Sequence, residues 1–332
     1  MRYLPHLAAL FIILVGIFFT YAQPPISTSI TGFTVFEPSP VAETASHEPV
    51  VLFCPRDACR ETFLFLINNS DTVDCAFFDL DVRELIALFA QKQHRLVIDV
   101  RNFNDTIAEL NSRPADGKRY MHDKFCILDG SVVVTGSMNP TYNDMEKNNN
   151  NLIIISSTIL AENYQAEFEE LWNGVVNRGS ATKNQIIILN NKTIENYFCP
   201  EDGCEKAVVT ALKQAKESIY FMAFSFTNKK IAETLIQKNA DGIIIRGVME
   251  KQQNSKHSVF SLLQKNNISV QLDPNKYKMH HKVFIIDNET VITGSMNPTG
   301  SGAWGNDENI LIMHDPALAE KFVGEFKGLF QQ

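Results

Sequence analysis

Two stretches of the chain carry the same polar residue types in the same order: a His, a Lys two residues later, an Asp, and then a Ser and an Asn. The first copy consists of His122, Lys124, Asp129, Ser137 and Asn139. The second copy lies 158 positions later and consists of His280, Lys282, Asp287, Ser295 and Asn297. Imidazole can act as a nucleophile or as a proton donor near neutral pH, and an ammonium group attracts anions. The two copies therefore indicate chemistry on an anionic substrate.

A phosphodiester fits this inventory of side chains. Its cleavage needs a nucleophile, a proton for the leaving oxygen and compensation of the phosphate charge. His122 and His280 provide the first two, and Lys124 and Lys282 provide the third. The amides of the two Asn residues add neutral donors, and the two Ser hydroxyls help to position the site. Few carboxylates lie near either His, so the sequence predicts neither a magnesium site nor any other metal or cofactor.

The spacing His-x-Lys-x4-Asp-x6-Gly-Ser-x-Asn resembles the signature of the phospholipase D superfamily, whose members cleave or exchange phosphodiesters without a metal. The resemblance covers about residues 50–332 in two halves. It implies that the halves pack face to face and bring both motifs into one active site. It also implies a covalent phosphohistidine intermediate and a monomer that forms an internal pseudo-dimer.

In that family a carboxylate downstream of Gly-Ser-x-Asn often supports the motif His. The register of the two copies places Glu308 at this position in the second copy and Asn150 in the first. We therefore predict that Glu308 bonds His280 and favours its protonated form, which suits a general acid. His122, facing neutral Asn150, is then predicted to be the nucleophile, in agreement with the family's use of the first-motif His.

Buried β-strands are predicted to position the motif side chains. The apolar runs 125–128 and 283–286 are typical of such strands, and side chains two residues apart on a strand share a face. Each His therefore points the same way as its Lys. Asp129 and Asp287 complete the catalytic motif, but each is seven residues beyond its His, so it does not share that face. Both fall where a hairpin turn is expected, which favours a positioning role.

Strands and helices alternate through the rest of both halves, which is typical of an α/β layer fold. We predict two tandem phospholipase D-like α/β/α sandwich repeats, residues 49–178 and 183–332. The matching Cys-Pro stretches that open the two halves are 145 residues apart, against 158 for the motifs. We attribute most of the additional length to an extra helix near 256–266 and an extra strand near 268–272.

The N-terminal region differs in composition from both halves. Residues 1–22 begin with one positive charge and continue as an apolar run, which predicts a signal peptide or an uncleaved membrane anchor. Residues 23–48 are rich in Pro, Ser and Thr and are predicted to be a flexible linker. The sequence thus predicts an exported protein that is either secreted or attached to a membrane.

The chain contains six cysteines, an even number that permits disulfides in an exported protein. The local pairs Cys54/Cys59 and Cys199/Cys204 are the natural candidates. A zinc site is the alternative, but the Cys-x4-Cys spacing is wide for one and the two pairs lie in separate halves. Cys75 and Cys126 fall in predicted strands and are interpreted as buried apolar residues.

The sequence leaves alternatives open for the substrate. The net charge of −8 does not indicate a nucleic-acid-binding protein. The compact repeats nevertheless favour a nuclease on DNA or RNA over a phospholipase D or phosphatidyltransferase on membrane lipids. The second alternative is a tethered module that binds polyanions without turnover. Basic residues precede both motifs and can steer an anionic substrate: Lys118, Arg119, Lys276 and Lys278.

Overall fold

The computed structural model describes residues 39–330, which form two β-sheets flanked by helices. A short strand, β1 (Val41–Glu43), precedes the first half. The elements of the first half are, in chain order, β2 (Val50–Cys54), α1 (Cys59–Asn68), β3 (Thr72–Phe77), α2 (Arg83–Phe89), β4 (Gln93–Asp99), α3 (Asp105–Ala108), β5 (Ser112–Ala115), β6 (Lys124–Leu128), β7 (Val132–Gly136), α4 (Tyr142–Glu146), β8 (Asn150–Ser156) and α5 (Thr158–Trp172).

The second half repeats this order after one additional strand, β9, and includes a 3₁₀ helix between β12 and α8. Its elements are β9 (Ile186–Leu189), β10 (Lys192–Cys199), α6 (Cys204–Lys213), β11 (Ser218–Ala223), α7 (Lys229–Ala240), β12 (Ile244–Met249), the 3₁₀ helix (Lys251–Gln253), α8 (Phe260–Lys265), β13 (Ser269–Leu272), β14 (Lys282–Ile286), β15 (Thr290–Gly294), α9 (Gly300–Trp304), β16 (Glu308–His314) and α10 (Pro316–Phe330).

The two sheets have matching strand orders. The first half forms a seven-stranded sheet in the order β2-β8-β7-β6-β3-β4-β5. In the nine-stranded sheet the equivalent strands follow as β10-β16-β15-β14-β11-β12-β13, with β1 and β9 added at one edge. In both sheets the motif hairpin pairs antiparallel with a neighbour, whereas the strands beyond it pair in parallel. The predicted fold of two tandem α/β repeats is thereby confirmed.

A hydrophobic core shared by both halves lies between the sheets. It contains inward-facing side chains of both sheets, together with one face each of α5 and α10. Strand β6 shows the expected alternation, because Phe125 and Ile127 lie in this shared core whereas Cys126 and Leu128 lie in an outer core beneath α1 and α2. The second half has its own outer core beneath α6, α7 and α8. The motif strands are thus buried on both faces.

A glycine ends each motif hairpin for a steric reason. Gly136 has φ 137° and Gly294 has φ 143°, values that favour glycine over residues with a side chain. A Cβ atom at either position would collide with the backbone carbonyl oxygen of the neighbouring strand, at Asn151 or Asn309 respectively. The glycines therefore permit close strand packing directly before the Ser of each motif.

Two predictions about the ends and the length of the halves are wrong. The linker was predicted to reach residue 48, but Val41–Glu43 form β1, which pairs in parallel with β9. The carboxylate of Glu43 caps α5 by accepting the Thr158 amide at 2.7 Å, which fixes this segment. The helix and strand near 256–272 are not an addition, because α3 and β5 are their equivalents in the first half. The predicted signal or anchor at residues 1–22, and most of the linker, lie outside the described residues.

All six cysteines are disulfide-bonded. Cys54–Cys59 and Cys199–Cys204 form the two predicted local bridges. The interpretation of Cys75 and Cys126 as separate apolar residues is wrong, because they are bonded to each other. Strands β3 and β6 pair antiparallel with these two residues directly opposite, which brings the side chains together across the ladder.

Candidate active site

The two motif histidines lie where the halves meet, and backbone hydrogen bonds between the halves fix their positions. The His122 amide donates to the carbonyl oxygen of Asp307 at 2.8 Å, and the His280 amide donates to that of Asn149 at the same distance. Each His therefore lies beside the start of a strand from the opposite half. Both imidazoles are nearly buried, with 8% and 7% of their surface exposed.

The hydrogen-bond partners of the two histidines are exchanged relative to the prediction. His122 Nδ1 donates to Glu308 Oε2 at 2.7 Å, and His280 Nδ1 donates to Asn150 Oδ1 at 2.9 Å. The prediction that Glu308 supports His280 and that Asn150 faces His122 is wrong. The register of the repeats identified the right side chains, but each one crosses the interface to reach the His of the other half.

The motif serines form hydrogen bonds with Glu308 and Asn150, the partners of the two histidines. Ser295 Oγ donates to Glu308 Oε2 at 2.7 Å, and Ser137 Oγ donates to Asn150 Oδ1 at 3.1 Å. Asn306, whose role the sequence did not indicate, donates to Glu308 Oε1 at 3.0 Å. With Nδ1 of each ring engaged, Nε2 is the nitrogen left for chemistry, and the tautomer of His122 is fixed by the carboxylate.

The motif lysines are buried beside the histidines, as their shared strand face predicted. Lys124 Nζ donates to the His122 carbonyl oxygen at 2.6 Å, and Lys282 Nζ does the same to His280 at 2.7 Å. Burial lowers the pKa of Lys124 to about 8, against the opposing charge of Glu308. Burial, reinforced by the charge of Lys124, also lowers the pKa of Lys282 well below its ordinary value. The two ammonium groups thus repel each other in a poorly solvated site, which favours an anion between them.

Burial also lowers the pKa of both histidines. For His122, the charge and hydrogen bond of Glu308 act against this effect. For His280, burial and the charge of Lys282 lower the pKa to about 3, and Asp144 opposes them. A bound phosphodiester anion would offset the lysine charges and raise both values.

Asp144 is a site residue that the sequence analysis missed. Its Oδ2 lies 3.4 Å from His280 Nδ1, and it accepts hydrogen bonds from the backbone amide and side-chain amide of Asn139, at 2.9 and 2.7 Å. The charge of His280 and these hydrogen bonds lower the pKa of Asp144 despite its burial. The equivalent position in the second half is Gly302, so a comparison of the repeats at this point could have revealed it.

Two phenylalanines also contact the motif side chains. The Phe78 ring lies edge-on to His122, with centroids 5.0 Å apart, and Phe224 lies edge-on to His280 at 4.6 Å. The same rings lie 5.5 Å from Lys124 Nζ and 5.1 Å from Lys282 Nζ. These rings desolvate the polar groups and restrict the imidazole orientations.

The remaining predicted residues divide between the site and its supports. Asp129 Oδ1 accepts the amides of Asp71 and Thr72, both at 2.8 Å, at the far end of the motif strand. Asp287 accepts the amides of Lys216, Glu217 and Ser218 in the same way. Both Asp residues therefore hold the hairpins, in line with the positioning role predicted from the sequence. The side-chain oxygens of Asn139 and Asn297 are buried without a hydrogen-bond partner among residues 39–330.

The chain is similar to known phosphodiester-processing proteins. Residues 73–172 and 208–330 match the family described as cardiolipin synthase, phospholipase D-like domain. A phospholipase D of Rickettsia conorii is 34% identical over 136 residues, covering 41% of this chain and 68% of that protein. The mitochondrial cardiolipin hydrolase of Mus musculus is 29% identical over 126 residues, covering 38% and 57%. Phosphatidylserine synthase of Haemophilus influenzae shares the fold, with a TM-score of 0.64 over 85% of this chain and 86% of that chain, at 10% identity.

Proposed function

The chain belongs to the phospholipase D superfamily of phosphodiester hydrolases, and on that premise we propose that it cleaves nucleic acids through a phosphohistidine, without a metal ion. The pairing of two buried His-x-Lys sets across the interface of the halves supports the reaction. Because each imidazole is held through Nδ1 by a residue of the other half, neither half is complete alone.

His122 acts as the nucleophile. Its Nδ1 proton is held by Glu308, so the Nε2 lone pair is available for attack on phosphorus. As the N–P bond forms and the P–O bond to the leaving group breaks, the ring becomes cationic, and the Glu308 carboxylate stabilises that charge. His122 therefore has the role that the sequence predicted, but the physical reason differs. Glu308 orients the nucleophile, whereas the sequence predicted that it would favour the protonated form of the acid, His280.

His280 acts as the general acid. Its proton passes to the leaving oxygen, and the neutral imidazole then takes a proton from the water that hydrolyses the phosphohistidine. Asp144, close to Nδ1, favours the protonated ring, and the phosphate anion does so as well. Lys124, Lys282 and the amides of Asn139 and Asn297 stabilise the charge on the non-bridging oxygens.

Exposed tyrosines and basic side chains beside the two histidines favour a nucleic acid as the substrate. Tyr120 is exposed and packs edge-on against Phe78, the ring that contacts His122, and the Arg101 guanidinium lies 4.6 Å from the Tyr120 centroid. Near His280, Lys147 Nζ lies 4.8 Å from the centroid of exposed Tyr142 and 5.7 Å from that of exposed Tyr277.

Alternating aromatic and cationic groups are typical of surfaces that bind single-stranded nucleic acids, because bases stack on rings and phosphates pair with cations. The sequence-predicted steering residues Arg119, Lys276 and Lys278 adjoin the same tyrosines in the chain. These groups lie beside the two motifs, whereas the net charge of −8 is a sum over the whole chain. The acidic net charge therefore does not argue against such a substrate.

A substrate panel in excess EDTA tests the proposal. We expect cleavage of single-stranded DNA or RNA, slower cleavage of duplex DNA, and loss of activity in His122→Ala. A Tyr120→Ala, Tyr277→Ala double variant should weaken nucleic-acid binding but leave the hydrolysis of a small aryl phosphodiester unchanged. Turnover of phospholipid vesicles with no cleavage of nucleic acid would refute the nuclease assignment.

A phospholipid is the second candidate substrate. The relatives named phospholipase D and cardiolipin hydrolase favour it. Among residues 39–330, no helix combines the length and apolarity needed to cross a bilayer. Vesicles that contain cardiolipin or phosphatidylglycerol should therefore be included in the same panel, with release of the headgroup as the readout.

We also propose that the protein works outside the cytoplasm. Three disulfides are typical of an oxidising compartment, and the apolar N-terminal run is typical of an export signal. Thiol labelling of the protein from its native source should find no reactive cysteine before reduction and six after it. Free thiols in the native protein would contradict export.

A further inference from the structure

The chain contains two tryptophans, and their surroundings differ. The guanidinium groups of Arg95 and Arg113 lie 5.5 and 4.3 Å from the ring centre of Trp172, at the end of α5. Trp304, the last residue of α9, has 59% of its surface exposed. Among residues 39–330, no cation covers its indole in this way. Single apolar residues are common on protein surfaces, so the contacts of Trp304 must decide what its exposure means.

The indole of Trp304 is held in a fixed position by its polar edge. Its Nε1 donates to Glu205 Oε2 at 3.3 Å. Glu205 is buried at the start of α6, where the side-chain amide of Asn228 donates to it at 2.7 Å and the Lys230 ammonium lies 3.2 Å away. A ring that is already immobilised loses little conformational entropy when a ligand packs against it. Trp304 is therefore pre-organised for contact with a partner.

The equivalent position in the first half is part of a set of ion pairs. It carries Glu146, which lies 3.7 Å from Arg60, and Arg60 also pairs with Glu84 at 2.7 Å. The second half reverses the charge at two of these positions, which carry Glu205 and Lys230. A Lys or Arg at position 304 would complete the reversed set, but the residue there is Trp304. The ion-pair pattern of the fold therefore does not account for an indole at this position.

The residues that follow Trp304 lead directly to the first motif. The Arg119 side chain lies against Gly305, where a Cβ atom would be only 3.2 Å from Arg119 Cγ. The Asp307 amide donates to the Tyr120 carbonyl oxygen at 3.0 Å, and the Asp307 carbonyl oxygen accepts the amide of the motif His at 2.8 Å. Trp304 therefore lies on the Tyr120 side of the active site, with a cation beside the segment that connects them.

The opposite side of the site has a related arrangement with the residue types exchanged. Lys147, the equivalent of Gly305, lies 4.8 Å from the Tyr142 centroid and 5.7 Å from that of Tyr277. Tyr277 is itself the equivalent of Arg119. Both sides of the site thus combine a cation with exposed aromatic rings. This combination suits successive bases and the phosphates that join them.

A membrane is the other partner that exposed aromatic side chains commonly contact. The surroundings of Trp304 do not favour it. The remaining exposed residues of α9 are Gly300 and Ser301, so this helix offers one apolar side chain to a lipid surface. Stacking of a base, in contrast, needs a single ring with a cation nearby.

We propose that Trp304 is a base-stacking subsite for a single-stranded nucleic acid, which extends the substrate path from His122 past Tyr120 and Arg119. The inference rests on the proposed nuclease function and adds a contact beyond the scissile phosphate. Because only a longer strand reaches Trp304, the subsite makes the protein prefer oligonucleotides over dinucleotides.

Tryptophan fluorescence tests the contact in the inactive His122→Ala background. Trp172→Phe leaves Trp304 as the only indole of the chain, and Trp304→Phe leaves Trp172. An oligothymidylate of about twelve nucleotides should quench the emission of the first protein, because a stacked base touches the indole directly. The second protein should show no quenching. Fluorescence anisotropy of the labelled oligonucleotide measures binding by both proteins in parallel.

Cleavage kinetics provide a second readout in proteins that retain His122. The ratio of kcat/KM for the oligonucleotide to kcat/KM for a dinucleotide should fall about tenfold in Trp304→Ala, mainly through KM. The fall should be smaller in Trp304→Phe, which keeps an aromatic ring. Phe65→Ala is the matched control, because Phe65 is an aromatic residue of α1 with 64% of its surface exposed. This variant should have the wild-type ratio.

The outcomes separate the subsite from the nuclease proposal on which it rests. Oligonucleotide binding and cleavage without quenching of Trp304, or an unchanged ratio in Trp304→Ala, would overturn the subsite and leave the nuclease proposal intact. Absence of both nucleic-acid binding and cleavage would overturn the two together. A blue shift of Trp304 emission with phosphatidylglycerol vesicles, without quenching by the oligonucleotide, would show that this surface contacts lipid instead.

Discussion

The two halves have the same backbone fold but carry different charged residues at several equivalent positions. In the seven-stranded and nine-stranded sheets, equivalent strands present equivalent His, Lys, Ser and Asn residues. Yet His122 is paired with the carboxylate Glu308, whereas His280 is paired with the neutral amide of Asn150 and has Asp144 at 3.4 Å. The two halves form a symmetric frame, and a few residue differences between them give its two histidines different partners. Reactions with a nucleophile and an acid need this difference, because the two groups start in opposite protonation states.

The largest expected effect comes from removing either His. His122→Ala and His280→Ala should each lower kcat by about 10⁴-fold or more, since both halves contribute to one site. Mixing the two variants should restore nothing. About half of the activity in each single variant would instead show two independent sites.

The two variants should nevertheless differ in what they accumulate. With an activated substrate whose leaving group needs no proton, His280→Ala should build up a phosphoryl adduct on His122, located by peptide mass spectrometry. His122→Ala should form none. An adduct on His280 would reverse the roles and show that Glu308 serves an acid.

Changing the carboxylate that orients His122 should have the next largest effect. Glu308→Gln keeps the shape but removes the charge that stabilises the phosphohistidine ring, so kcat should fall by about 10²-fold. The equally conservative Asn150→Asp should cost far less. Glu289→Gln, at an exposed site just before β15, is the control for loss of one negative charge. Equal losses in Glu308→Gln and Asn150→Asp would mean that the asymmetry has no catalytic role.

The crossed pairing explains why the sequence predicted so much of the frame and missed this detail. Period-two patterns identify the strands and the His-x-Lys faces, because they depend only on local geometry. The partners of His122 and His280 depend on isolated β-bridges between the halves, at Met121–Asp307 and Asn149–Met279. Register within a repeat carries no information about such contacts.

Other misses have the same origin. The Cys75–Cys126 bridge requires the antiparallel register of β3 on β6, which a single sequence does not specify. Asp144 lies in a short helix within a stretch that looks like a polar loop, and only the fold brings it to His280. Local pattern therefore predicts the motif residues of the site. Tertiary pairing decides which partner each of them has and which further side chains, such as Asp144, join them.

Asp144 gives a smaller effect, best seen in the pH dependence. Its charge raises the pKa of His280 against burial and Lys282, so Asp144→Asn should lower that pKa. Since the acid must be protonated, activity in this variant should be lost at a lower pH than in the wild type. Asn150→Asp adds charge beside the same ring and should shift the loss to higher pH. We expect a change in kcat of about tenfold or less at neutral pH, measured from the full pH profile. If the wild type and both variants lost activity over the same alkaline pH range, Asp144 would not tune the pKa of His280. Its role would then be to hold Asn139 by hydrogen bonds.

The smallest effect is expected from removing metal ions. Lys124 and Lys282 occupy the position beside the phosphate that a metal would otherwise fill, so chelation removes nothing from the reacting atoms. Excess EDTA should therefore leave kcat unchanged, measured on a small aryl phosphodiester after prolonged chelation. Adding Mg²⁺ or Ca²⁺ back to the chelated protein should not raise kcat either. Loss of kcat that Mg²⁺, Ca²⁺ or Zn²⁺ restores would show that an ion takes part in the reaction beside Lys124 and Lys282.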